Sequence, residues 1–182
     1  MITTAFLDRD GTINAKAPEG DYVERWEEFR FLPGAEVAIR RLNDAGIRVV
    51  VVTNQRGIAL GRLTEADLEG IHARMRAALG AAGARVDAIF HCPHDHDECD
   101  CRKPGIGMFL EARAEIPGIS FAESAVIGDS LSDMEPGARL GCQTVLLDPR
   151  GKRAAEAAAA GIPIDLVAGT LAEAVDRLLE ES

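Results

Sequence analysis

A chain of 182 residues, 47% of them hydrophobic, is long enough for one sizeable core without disulfide staples and too apolar to remain disordered. Its formal charge of −10, with no basic stretch to offset it, argues against a general nucleic-acid or anionic-membrane partner, yet leaves room for a small anion in a locally positive site. No apolar run approaches a membrane span, and Met1-Ile2-Thr3 leads into a strand pattern without signal-peptide character, so a cytoplasmic location is expected.

The first predicted element is a strand over Thr3–Leu7 that runs into Asp8-Arg9-Asp10-Gly11-Thr12. Side chains at i and i+2 of extended backbone point the same way, so Asp8 and Asp10 are expected to converge. Carboxylates held that close repel unless a cation lies between them or one binds a proton, and phosphate chemistry uses a divalent metal there. Asp-Gly also starts turns, so the segment alone reads equally as a polar turn. The stretch from Gly11 to Leu32 is the least regular and holds Tyr22 and Trp26, the latter expected as a local core anchor.

A helix over Pro33–Asp44 and a strand over Arg48–Thr53 follow, the strand running into Asn54-Gln55. Thr64 is a good N-cap with Asp67 three residues on, and Leu68, Ile71, Met75 and Leu79 share one helical face before Gly83 ends the element. Further strands are predicted over Val86–His91, Ser124–Ile127, Gln143–Leu147 and Ile164–Val167, and helices over Met108–Ile116, Leu131–Leu140 and Thr170–Glu180. The run Ala154–Ala160 is helix-forming by propensity. Alternation of apolar strands with amphipathic helices predicts an α/β fold, a Rossmann-like doubly wound and mainly parallel sheet with helices on both faces, forming a single domain over residues 1–182.

In such sheets ligands bind beyond the carboxyl ends of the strands, where strand order reverses. Asp8 and Asp10, then Thr53-Asn54-Gln55, then Gly128-Asp129-Ser130 all follow apolar strands, and Lys103 supplies a cation in Cys101-Arg102-Lys103-Pro104. Three of the four cysteines, Cys92, Cys99 and Cys101, crowd into one loop, which suggests metal binding more than a disulfide framework. In Cys92-Pro93-His94 and Cys99-Asp100-Cys101 each pair points two ligands to one side, a set suited to tetrahedral zinc with no open position and therefore structural. His91 and His96 are alternative ligands, and a metal-free redox loop is the alternative to zinc. Cys142, in the apolar stretch Leu140 to Leu147, reads as a buried inert thiol.

Asp8-Arg9-Asp10-Gly11-Thr12, Thr53-Asn54, Lys103-Pro104 and Gly128-Asp129 with Asp133 resemble the four ordered motifs of haloacid dehalogenase-like phosphatases, over Ala5 to about Leu147. The resemblance implies that Asp8 is the nucleophile, that Asp10 is the acid and base, and that Thr53 and Lys103 hold the phosphoryl oxygens. It also implies Mg²⁺ held by Asp8, the backbone carbonyl of Asp10 and Asp129, with Asp133 in support. The zinc loop, where the family pattern favours His94, and Thr53 to Ile58 are similar to D-glycero-D-manno-heptose 1,7-bisphosphate phosphatases and to the histidinol-phosphate phosphatase domain. Thr53 to Thr64 is closer to the former. By that resemblance Arg102 contacts a second phosphate or the sugar, and Asn54, Gln55 and Arg56 line the hydroxyls. Arg56 stands where those enzymes usually have serine, and Ser130 where they often have lysine.

Spacing between the motifs leaves no room for a separate cap domain, so specificity is expected from Gly11–Leu32 and the zinc loop, with the site open to water as a phosphatase needs. The expected ligand is a small phosphorylated sugar, and the expected form a monomer. Histidinol-phosphate hydrolysis is the alternative activity, and a non-catalytic zinc-stabilised binding module the alternative class.

Overall fold

In the computed structural model, which describes residues 1–180, six strands form one parallel sheet: β1 (Thr4–Leu7), β2 (Arg48–Asn54), β3 (Ala88–Cys92), β4 (Ser124–Gly128), β5 (Gln143–Leu147) and β6 (Leu166–Ala168). Their order is β3-β2-β1-β4-β5-β6, so the direction of winding reverses at β1, between β2 and β4. The helices are α1 (Ala35–Asp44), α2 (Glu65–Ala81), α3 (Gly107–Glu115), α4 (Leu131–Leu140), α5 (Lys152–Ala160) and α6 (Leu171–Glu180).

Strand alternation divides the core into two layers. Ala5, Leu7, Val49, Val51, Ala125 and Ile127 face α1, α2 and α6, whereas Phe6, Val50, Val52 and Val126 face Met108 and Phe109 of α3 and Met134 of α4. Both faces are covered, which is why the strands read as unbroken apolar runs. Trp26 lies in a 3-10 turn over Trp26–Glu28 and stacks on Phe29 with centroids 4.9 Å apart, against the first layer, as a core anchor does. Cys142 is buried in the second layer, and burial pushes its thiol up to about 12.

Two strands start later than their apolar pattern predicts, for the same reason. Before β3, the Asp87 carboxylate accepts the Val49 N–H at 2.8 Å, and before β6, the Asp165 carboxylate accepts the Thr144 N–H at 2.7 Å. A side-chain carboxylate thus occupies the position of a ladder carbonyl, and Val86 and Ile164 fall outside the strands. Between β1 and β2 the chain holds the 3-10 turn and α1, and between β2 and β3 it holds α2; no cap domain is inserted among the described residues. No described helix is long and apolar enough to cross a membrane.

Phe6 is fully buried at the sheet centre, edge-on to Phe109 at 5.2 Å and 6.3 Å from Phe121. Phe6→Ala is expected to cost about 3–5 kcal/mol, read as a lower urea midpoint at unchanged m-value.

Candidate active site

β1 stops at Leu7, and Asp8 is fixed at its tip by its N–H, which donates to the Ile127 carbonyl of β4 at 3.0 Å. β4 ends at Gly128, where a Cβ would come within 2.4 Å of the Asp133 carboxyl group, so glycine lets the strand end meet the first turn of α4. The Ser130 N–H and hydroxyl donate to Asp133 Oδ2 at 3.1 and 2.6 Å. In consequence Asp8, Asp129 and Asp133 each place a carboxylate oxygen within 4.8 Å of the others.

Lys103 enters this cluster from the loop after β3. Its buried ammonium donates to Asp8 Oδ1 at 2.8 Å, Asp133 Oδ1 at 2.6 Å and the Val52 carbonyl at 2.7 Å, which uses all three of its protons. Asn54, the last residue of β2, grips the Lys103 backbone with both ends of its amide, donating to the carbonyl and accepting from the N–H, each at 3.0 Å. Asn54 is therefore turned to Lys103 rather than to sugar hydroxyls.

The site carries more negative charge than one ammonium balances. Burial pushes the Asp8 carboxyl up to about 7, Lys103 opposes this, and Asp133 and Asp129 add to it. Burial raises Asp129 as well, against the pull of Lys16, whose ammonium lies 2.7 Å from Asp129 Oδ2. For Lys103, burial favours the neutral amine, but the Asp133 and Asp8 carboxylates outweigh it and its pKa is raised. Asp129 Oδ1 is buried with no hydrogen-bond partner. Convergent carboxylates, an orphaned buried oxygen and raised acid pKa values fit a divalent cation between Asp8 and Asp129. Gly11, at φ +95°, passes against this cluster where a Cβ would lie 2.4 Å from Asp129 Oδ2.

Asp10 lies beyond the end of β1 at Leu7, so its direction is set by its partners and not by strand alternation. Its carboxylate accepts from Arg9 Nη2 at 3.0 Å on both oxygens, from Asn14 at 2.8 Å and from Gln55 at 3.1 Å. Burial pushes its carboxyl up, but Arg9, Asn14 and Gln55 together hold it below the usual carboxylate range. Gln55 also donates to Thr53 Oγ1 at 2.9 Å, so Gln55 ties Thr53 to Asp10 and, like Asn54, is occupied within the protein. Arg9 and His72, absent from the sequence reading, form the back of this network. Arg9 is fully buried, and its Nη1 lies 3.1 Å from His72 Nε2. The one sequence signal for Arg9 is its place between the two aspartates.

Cys92, His94, Cys99 and Cys101 gather their ligand atoms within 4.8 Å of one another. Sulfur–sulfur distances are 3.0 to 3.4 Å, and His94 Nδ1 lies 3.3 Å from Cys101 Sγ. Three thiols and one imidazole converging on one point are a donor set that fits a tetrahedral ion. The alternative ligands stand elsewhere: His91 pairs with Glu65 at 2.7 Å, and His96 lines the adjoining cavity. That cavity, of about 760 Å³, is also lined by Asn54, Arg102, Lys103, Ser132 and Arg139. Arg102 Nη1 is buried there without a hydrogen-bond partner, as a guanidinium awaiting an anion would be. Arg56 is paired instead with Asp95 of the cysteine loop at 2.5 Å.

A family model described as HAD-hydrolase-like matches residues 100–174. The chain is 40% identical over 159 residues to the D-glycero-β-D-manno-heptose-1,7-bisphosphate 7-phosphatase of Escherichia coli, covering 83% of this chain and 82% of that one. It is 44% identical over 152 residues to the corresponding enzyme of Pseudomonas putida, covering 82% and 85%. Against the D-glycero-α-D-manno-heptose-1,7-bisphosphate 7-phosphatase of Mycobacterium tuberculosis it is 41% identical over 131 residues, covering 71% and 68%. The crystal structure of D,D-heptose 1,7-bisphosphate phosphatase from B. bronchiseptica, complexed with magnesium and phosphate, superposes with a TM-score of 0.87 at 38% identity, covering both chains completely.

Burial, reinforced by the charge of Arg9, pushes His72 down to about 3 from its ordinary 6.5. Between those values the unfolded chain binds a proton that the folded chain refuses. Stability from this group is complete above pH 6.5 and falls by up to about 1.4 kcal/mol per pH unit below it. Urea titrations from pH 7 to 4 are expected to show a shallower loss for His72→Gln than for the native chain.

Proposed function

The chain belongs to the heptose-1,7-bisphosphate 7-phosphatase family of haloacid dehalogenase-like hydrolases, and we propose that it removes the 7-phosphate of D-glycero-D-manno-heptose 1,7-bisphosphate. It is a phosphoric monoester hydrolase. The observation that carries the reading is the junction of Asp8, Lys103 and Asp129 at the point where strand order reverses.

Asp8 attacks phosphorus as a carboxylate, which Lys103 keeps available by its 2.8 Å contact. As the phosphorus–oxygen bond to the sugar breaks, the leaving alkoxide takes a proton from Asp10, and an aspartyl-phosphate remains on Asp8. An incoming phosphoryl dianion opposes Arg9 and raises the proton affinity of Asp10 when that proton is required. Water then attacks phosphorus and gives its proton to Asp10, the bond to Asp8 breaks, and inorganic phosphate leaves. Thr53 and Lys103 hold phosphoryl oxygens in this reading. Mg²⁺, held by Asp8, Asp129 and the backbone carbonyl of Asp10, with Asp133 behind them, supplies charge neutralisation on the phosphoryl group.

Zinc is the ion we assign to Cys92, His94, Cys99 and Cys101, with a positioning role only. Fixing Cys101 fixes Arg102 and Lys103, which follow it directly. Arg102 takes the second phosphate in the cavity beside Lys103, and Arg56 reaches the sugar only if its pairing with Asp95 opens. The reading includes a single domain acting as a cytoplasmic monomer.

Phosphate release should be fastest on the heptose bisphosphate, slower on histidinol phosphate, and dependent on Mg²⁺. A preference for histidinol phosphate would reassign the substrate, and undiminished release by Asp8→Asn would overturn the mechanism. Arg102→Ala is expected to raise KM for the bisphosphate about ten- to a hundredfold, the worth of a charged hydrogen bond, with a smaller effect on a monophosphate. Metal analysis should find one zinc per chain, lost in Cys99→Ala together with most of the activity.

A further inference from the structure

The acid and base of the proposed reaction is gripped by one residue that is itself gripped by another. Arg9 is completely buried, and a guanidinium is a permanent cation that only donates. Its Nη2 gives both oxygens of Asp10 a hydrogen bond at 3.0 Å and reaches Gln55 Oε1 at 3.4 Å. Its Nε has no partner, and the Phe29 ring lies beside it with 6.0 Å between guanidinium carbon and centroid. The remaining polar contact is Nη1 to His72 Nε2 at 3.1 Å. Because Arg9 cannot accept, His72 Nε2 must, so the ring is neutral with its proton on Nδ1.

Without that acceptor Arg9 would have two nitrogens buried without partners, and the guanidinium would be free to turn about the bonds of its side chain. Asp10 would lose the fixed two-oxygen contact that sets its direction. We propose that His72, on α2 and separated from Asp10 by Arg9, is a positioning residue for the phosphatase reaction, acting on Asp10 through Arg9. The proposal rests on the assignment of Asp10 as acid and base. The ring also borders a cavity of about 410 Å³ lined by Glu65, Glu69, Arg76 and His91, so a small molecule has a route to its position.

A residue that acts through Asp10 must affect a reaction in proportion to its need for a proton. An alkoxide leaving group needs one and p-nitrophenolate does not, and kcat/KM reports the step in which the leaving group departs. In His72→Ala, kcat/KM for the heptose bisphosphate is expected to fall at least about tenfold, carried by kcat with KM little changed. For p-nitrophenyl phosphate the fall should be under about threefold. His72→Gln, whose amide oxygen can replace Nε2 as acceptor, should recover most of the loss, as should imidazole added to His72→Ala. Equal losses on both substrates, or no loss on either, would overturn the relay while the native chain still turned over. A native chain inactive on every phosphomonoester would overturn the function and the relay together. If His72→Ala does not fold, His72→Leu takes its place, compared with His72→Gln on the same two substrates.

Discussion

Everything at the catalytic end of this sheet is arranged around one buried ammonium. Lys103 has three protons and spends them on Asp8, Asp133 and a strand carbonyl, so it is the structural partner of two acids and, in the proposed reaction, the cation facing a phosphoryl group. Breaking such a buried pair by removing one member costs about 3–5 kcal/mol, because the other charge is left without compensation. The fold therefore has a stake in the same contact that the chemistry uses. This explains why the Lys103 backbone is clamped by Asn54 from one side and tethered two residues away to the cysteine cluster on the other.

The cysteine loop carries Lys103 into this enclosed site. A lysine on a free loop would lose rotamer entropy and hydration on entering a site this enclosed. Tying Cys101 to Cys92 at the end of β3 shortens the path, since Cys92 pairs in register with Asn54 of β2. The sheet, the loop and the lysine are then one rigid frame, and the substrate meets a cation already in place.

Much of this was legible in the sequence because it depends on patterns of period two and on ligand spacing. The six strands, the polar residues at their ends and the three clustered cysteines follow from such patterns, whereas the choice of His94 over His91 and His96 comes from the family resemblance. What escaped was set by side chains acting in place of backbone. Asp87 and Asp165 shortened two strands by taking ladder hydrogen bonds, which no hydrophobic pattern registers. Asp10 lies past the end of β1 at Leu7, so strand alternation does not set its direction. Asn54 and Gln55 read as polar groups for a ligand, yet their amides are consumed by Lys103 and by Asp10 with Thr53. Arg9 and His72 are 63 positions apart, and no local signal joins them.

The two ends of the site meet opposite requirements by the same means. At Asp8 burial, with Asp133 and Asp129 adding to it, raises proton affinity against the pull of Lys103. At Asp10 the protein surrounds a single carboxylate with donors and lowers proton affinity, and in the proposed reaction a substrate dianion offsets Arg9. Two aspartates separated by one residue thus sit on opposite sides of their ordinary pKa, burial raising Asp8 while Arg9, Asn14 and Gln55 lower Asp10. Arg9 Nη2 is paired with Asp10 while Nη1 is held on His72, and the ammonium paired with Asp8 is that of Lys103. Separate proton affinities for a nucleophile and for an acid and base are what the proposed two-step phosphoryl transfer demands, and the division follows from burial at Asp8 and from the donors around Asp10.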